Sequence, residues 1–262
     1  MNALKIARYQ VRDVMRSRWV LLYGIFFLLL TDALFRFGGP GERVLLSLMN
    51  VVLIAIPLVA VVLGTMYLYG SREFTELILA QPVRRRSLFL GLFAGLGLPL
   101  TLAFVLGTGL PFWAHGGMAG GGWLPLTLLL GTGVALTLIF ASVAFLVALS
   151  TEDRIKGLGF SLGVWVFFTV VFNAMVLLGI YLLSDYPVER GVLALSLLNP
   201  VDLGRILLLL SFDISALMGF TGAVFRRFFG SGLGQGVAIS ALVVWLIVPF
   251  ALGLRRFNRK NF

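Results

Sequence analysis

The 262-residue chain has no cysteine, a single histidine (His115) and only three lysines, Lys5, Lys156 and Lys260. The missing cysteine removes disulfides, thiolate metal sites and cysteine nucleophiles together. One histidine and scattered methionines make no soft-metal ligand set, so His115 and Met118 read as parts of a flexible Gly116–Gly122 turn. None of the lysines lies in the Gly-x-x-x-x-Gly-Lys-Ser/Thr context of a phosphate loop, so this chain is not expected to hydrolyse ATP. Charge is scarce too. Charged residues make up 12% of the chain, where a soluble domain carries about 25%. The apolar share is 60% and the mean hydropathy +1.03. A soluble domain is excluded; what remains is an all-α polytopic membrane protein.

Apolar runs long enough to cross a bilayer lie at Trp19–Phe35, Val44–Tyr69, Leu88–Phe112, Trp123–Leu149, Phe160–Leu183 and Val237–Leu254. They predict six spans in one transmembrane domain over residues 1–262. No cleavable signal is expected, because eighteen Arg-rich residues precede the first run and no small-residue cleavage site follows it. With the N-terminus in the cytoplasm, 15 of the 21 Lys and Arg residues fall on the cytoplasmic side. That side carries the whole net charge of +10. The positive-inside rule therefore puts both termini in the cytoplasm. The high pI suits an anionic leaflet rather than nucleic acid, since the bases flank spans as topology signals.

The pieces between the spans carry further signals. Residues 1–18 predict an amphipathic interfacial helix, with Leu4, Ala7, Val11, Val14 and Met15 on one row and Lys5, Arg8, Arg12 and Arg16 on another. It is either a simple anchor or an elbow that moves the first span. In the loop 70–86, Ser71 is placed to cap a short helix, Glu73 lies in its first turn, and Pro82 ends it. Phe74, Leu77 and Ile78 form an apolar ridge interrupted by Glu73 and Glu76, which suits either a solvated connector or a docking element. Ser150–Gly157 reads as a solvated turn. Asn199, Pro200, Asp202, Arg205 and Asp213 break up the apolar stretch at 192–220, so Ser184–Gly236 is expected to be one extracytoplasmic segment with short amphipathic helices.

A Gly-x-Ser-x-Gly string at Gly159–Gly163 would need His115 beside Ser161 for serine catalysis. The expected topology puts the two about 30 Å apart, so the glycines are read as a surface for close helix packing, as are Gly91 and Gly95. Asp32, near the far end of the first span, has Arg36 at helical spacing and needs no ion pathway to explain it. Asn50, Thr65, Asn173 and Met175 are the polar or soft side chains left to line a path through the second and fifth spans. So few carboxylates in the spans place the energy source on another subunit.

The interfacial helix, the six spans, the stretch Arg72–Arg86 and the large segment before the last span together resemble a type-2 ABC transporter permease. That resemblance implies a cytoplasmic coupling helix that docks on a separate ATPase through Glu73, Phe74, Glu76, Leu77 and Ile78. It implies a homodimer in the bacterial inner membrane, with ATP and Mg bound by the partner ATPase and no cofactor or metal on this chain. Leu198–Arg205 is similar to the membrane subunits of ABC complexes for nitrous-oxide-reductase maturation. This implies docking of a periplasmic partner protein at Asn199, Pro200, Asp202 and Arg205, with delivery of a copper- or sulfur-containing species. The alternatives are a general exporter of a drug, lipid or polysaccharide, and an ATP-independent membrane scaffold or enzyme.

Overall fold

The computed structural model describes residues 3–39, 41–116, 123–182, 189–211 and 232–260, and every element among them is helical. In chain order these are α1 (Ala3–Met15), α2 (Arg18–Gly38), α3 (Gly41–Gly70), α4 (Arg72–Leu79), α5 (Arg85–Ala114) and α6 (Leu124–Ser150). There follow α7 (Arg154–Val166), a π-helical turn at Phe167–Val171, α8 (Phe172–Leu182), α9 (Glu189–Ser196), α10 (Pro200–Ser211) and α11 (Gly232–Arg259). Among the described residues six helices are long and apolar enough to span a membrane: α2, α3, α5, α6, the continuous helix of α7, π-turn and α8, and α11. The end of the bundle formed by α1, α4 and the last turn of α11 is here called the termini side.

The helices run past the expected apolar limits. The third span starts at Arg85 rather than Leu88, the fifth at Arg154 rather than Phe160, and the last ends at Arg259 rather than Leu254. Long basic side chains let a helix continue into the interface while their charges reach water.

The fourth span is the axis of the bundle. It is buried over 72% of its most apolar window and packs on α3, α5, α10 and α11. Aromatic contacts tie the bundle: Phe27 of α2 meets Phe104 of α5 edge-on at 5.0 Å between centroids, and Phe89 of α5 contacts Phe145 of α6 and Phe250 and Phe257 of α11. The fifth span is the opposite case, with only 6% of its window buried in the protomer. Its side chains face lipid or another chain.

Within the chain, Gly159 and Gly163 meet no other helix: both are exposed and have no atom near enough to meet an added Cβ. The close approach falls instead at Gly157, where a Cβ would collide with Tyr69 Oη. Gly95, by contrast, packs as expected, and its neighbour is Gln10 of α1. The buried row of α1 is consequently Ile6, Gln10 and Val14, while Met15 of the expected apolar row is exposed. A polar Gln10 is buried because Gly95 makes room for it and Tyr67 Oη donates to its Oε1 at 2.8 Å.

Candidate functional site

On the termini side, α4 is a two-turn amphipathic helix between α3 and α5. Ser71 does not cap it; the Ser71 hydroxyl donates back to Tyr67 O at 2.8 Å and extends the grip of α3. Thr75 is buried, and its hydroxyl donates to Ser71 O at 2.8 Å. Phe74 and Ile78 pack against the core, with Phe74 stacked on Tyr9 of α1 at 6.1 Å. Glu73, Glu76 and Leu77 face outward, Leu77 with 71% of its surface exposed. The five residues expected to dock a partner thus divide in two: Phe74 and Ile78 hold the helix, and Glu73, Glu76 and Leu77 form its free face. Arg72 lies 3.7 Å from Glu76 on the same helix, a weak, exposed pair.

The loop expected to be a solvated turn is exposed at residues 152–156 and tied at Thr151. Tyr69 Oη donates to Thr151 O at 3.0 Å and lies 2.7 Å from Thr151 Oγ1. Asp153 caps α7 by accepting from Ile155 N at 2.8 Å. A little deeper, Thr65 Oγ1 and Ser161 Oγ share a buried hydrogen bond of 2.7 Å. Thr65 is therefore a helix-to-helix contact rather than a residue lining an open path. These bonds tie the end of α3, just before α4, to the base of the fifth span.

About midway along the fifth span, Asn199 and Pro200 begin α10 as its cap and first residue, and Asn199 Oδ1 accepts from Val201 N at 3.0 Å. Asn199 Nδ2 donates to Phe168 O in the π-turn and to Asp202 Oδ2, both at 2.8 Å. Arg205 lies 3.4 Å from Asp202, while Asn173 Nδ2 donates to Thr169 O of the π-turn at 3.2 Å. Phe168 meets Trp245 edge-on at 5.2 Å, and Trp245 Nε1 donates to Leu197 O at 3.2 Å.

These contacts correct the reading of Asn199 and Pro200 as an outward docking surface. Both are buried, because α10 lies against α6, α3 and α11 instead of resting on the surface. At Gly204 an added Cβ would come within 2.9 Å of Thr132 and 3.3 Å of Leu53. Asp202 and Arg205 are half-buried. The structure therefore joins Asn199, Asp202 and Arg205, expected at the docking surface, to the π-turn of the fifth span in one polar joint, and Asn173, expected along the path, is half-buried just beyond that turn. Asn50 and Met175 are exposed and stand apart from it.

A contact at the side opposite the termini was not visible in the sequence. His115 Nε2 lies 2.7 Å from Asp32 Oδ1, with its ring stacked on Phe35 at 5.0 Å, while Arg36 donates to the other Asp32 oxygen at 2.7 Å. This ties the far ends of the first and third spans. The partners are 83 positions apart, so helical spacing pointed only to Arg36. The Met118 once paired with His115 lies outside the described residues.

The comparisons with known proteins agree with this architecture. The chain is 28% identical over 265 residues to the "Probable ABC transporter permease protein NosY" of Pseudomonas aeruginosa, covering 95% of this chain and 92% of that protein. It is 27% identical over 278 residues to the protein of the same description from Stutzerimonas stutzeri, covering 95% and 93% respectively. The family described as ABC-2 family transporter protein matches residues 42–262, and the chain belongs to that family as a membrane-spanning permease subunit of an ABC transporter.

Proposed function

We propose that this permease turns ATP binding and hydrolysis, with Mg, on a separate cytoplasmic ATPase into movement at the periplasmic face of the bacterial inner membrane. In this reading both termini are cytoplasmic and two copies of the chain pair. The observation that carries it is the division of α4, whose Phe74 and Thr75 face inward while Glu73, Glu76 and Leu77 are free to meet the ATPase. Tyr69, Thr151 and the Thr65–Ser161 bond couple that helix to the fifth span. From Ser161 to Phe168 is about 10 Å along the helix axis, and there Asn199 and α10 take up the motion. The π-turn at this point is the natural place for the span to flex.

The likeness to proteins named NosY supports a role in copper-site maturation of nitrous oxide reductase. A periplasmic partner would then be recruited at the end of the bundle that carries α9 and α10, with Asn199 and Pro200 positioning the helix and Asp202 and Arg205 nearer its surface. Affinity purification from the native host in mild detergent tests this, with co-purifying proteins and their stoichiometry determined. An ATPase with a periplasmic protein is the expected result. An ATPase alone would favour a general exporter of a drug, lipid or polysaccharide, and neither partner would overturn the transporter assembly.

A further inference from the structure

At the termini side, the ends of α6 and α11 frame a cavity of about 650 Å³. Its lining includes Arg255, Arg256, Arg259 and Lys260, with Glu152 as the one acid and Leu149 and Leu252 on its apolar part. This size is within the range of ordinary ligand sites. The last turn of α11 is held in place rather than splayed. Arg85 donates to Asn258 O at 3.1 Å and to Lys260 O at 2.7 Å, and Lys260 Nζ donates to Leu149 O at 3.4 Å.

The charge of this cavity is not balanced. Among the described residues, none of the three arginines has an ion-pair partner. Burial, together with the Arg72 guanidinium, pushes the Lys260 ammonium below its usual range, and Glu152 opposes this only in part. Arg255, Arg256 and Arg259 are exposed on one held helical turn, and guanidinium groups gathered in this way suit phosphate oxygens. Their depth is set by α11, where Arg255 follows the apolar Gly253–Leu254 end of a membrane span. That places the cluster at headgroup level, with Leu252 one turn deeper.

We propose that this cavity binds the phosphate headgroup of an anionic phospholipid, with Arg255, Arg256 and Arg259 around the phosphate and the acyl chains leaving past Leu252. Basic pockets between spans at such an interface recognise anionic headgroups. Lys260 also borders a smaller cavity with Arg72 and Thr75 of α4, so the bound lipid lies beside that helix. The inference stands apart from the docking role of α4, because its test reads lipid binding alone.

The test uses the full chain, stripped of lipid in a neutral detergent and titrated with phosphatidylglycerol, phosphatidylcholine or inorganic phosphate. Thermal stability and lipid retained by mass spectrometry are both read. Phosphatidylglycerol should be retained and should stabilise the protein; the other two should not. Each of Arg255→Gln, Arg256→Gln and Arg259→Gln should weaken apparent affinity about fivefold, the factor equivalent to ~1 kcal/mol per basic residue near a membrane surface. The triple variant Arg8→Gln, Arg12→Gln and Arg16→Gln removes equal charge from exposed positions on the same side and should leave affinity unchanged. Equal weakening in that variant would reduce the effect to general surface charge. Stabilisation by inorganic phosphate to the same extent would overturn the lipid assignment, and unchanged affinity in the three cavity variants would overturn the site.

Discussion

Replacing Asn199 by alanine tests whether α10 is held in the bundle by its own polar cap. The side chain is buried and makes hydrogen bonds to Phe168 O, Asp202 Oδ2 and Val201 N. Each such bond contributes about 1 kcal/mol net, and the Val201 bond is the helix cap, worth about 1 kcal/mol by itself. The expected loss is therefore about 3 kcal/mol. For a chain of this size about 1 kcal/mol corresponds to roughly 2–4 °C in the midpoint of unfolding, so Asn199→Ala should lower it by about 6–12 °C. Asn199→Ser keeps a cap oxygen but loses both bonds made by Nδ2, and should fall in between. Asn50→Ala removes an exposed side chain of the same type and should change stability by less than about 0.5 kcal/mol. The assay is thermal unfolding in detergent micelles followed by tryptophan fluorescence, since Trp245 lies in the joint. A shift for Asn199→Ala no larger than that for Asn50→Ala would refute the argument.

Further expectations concern the other ties. Gly157→Ala forces Tyr69 and Thr151 apart and should destabilise by about 1–3 kcal/mol; Gly159→Ala meets nothing and should leave the same unfolding curve unshifted or improved, so equal losses would contradict the packing described. Tyr67→Phe removes the bond to Gln10 and should loosen α1, read as faster trypsin cleavage at Arg8 and Arg12; an unchanged cleavage rate would argue against that anchor. Asp32→Asn and His115→Gln should show coupling in a double-mutant cycle of thermal stability that fades as salt rises. Strict additivity at low salt would mean that their contact adds nothing.

The spans were legible because twenty-residue apolar runs have few other uses, and the flanking bases marked their ends. The site was legible only in part. Glu73 and Glu76 could be recognised as interrupting the apolar ridge of a short amphipathic helix, but the division of that ridge, with Phe74 and Ile78 inward and Leu77 outward, depends on Tyr9 and the core, far away in sequence. Asn199, Pro200, Asp202 and Arg205 looked too polar for a buried place. Asn199, Asp202 and Arg205 are tolerated there because their polar groups satisfy one another and the Phe168 carbonyl, and Pro200 is the first residue of the capped helix. Gln10 escaped the apolar row of α1 for a similar reason, since its cavity is formed by Gly95 and its partner by Tyr67. His115 looked like part of a glycine turn because nothing local indicates Asp32.

The central claim is that the free face of α4 receives the ATPase. The direct measurement is retention of the ATPase by affinity-tagged protein carrying Glu76→Arg and Leu77→Asp, beside the unchanged chain and Asn50→Ala. Both altered side chains point outward, so folding and membrane insertion should be preserved, and the ATPase should be lost from the α4 variant alone. Retention of the ATPase at full stoichiometry, with its activity still coupled, would contradict the account.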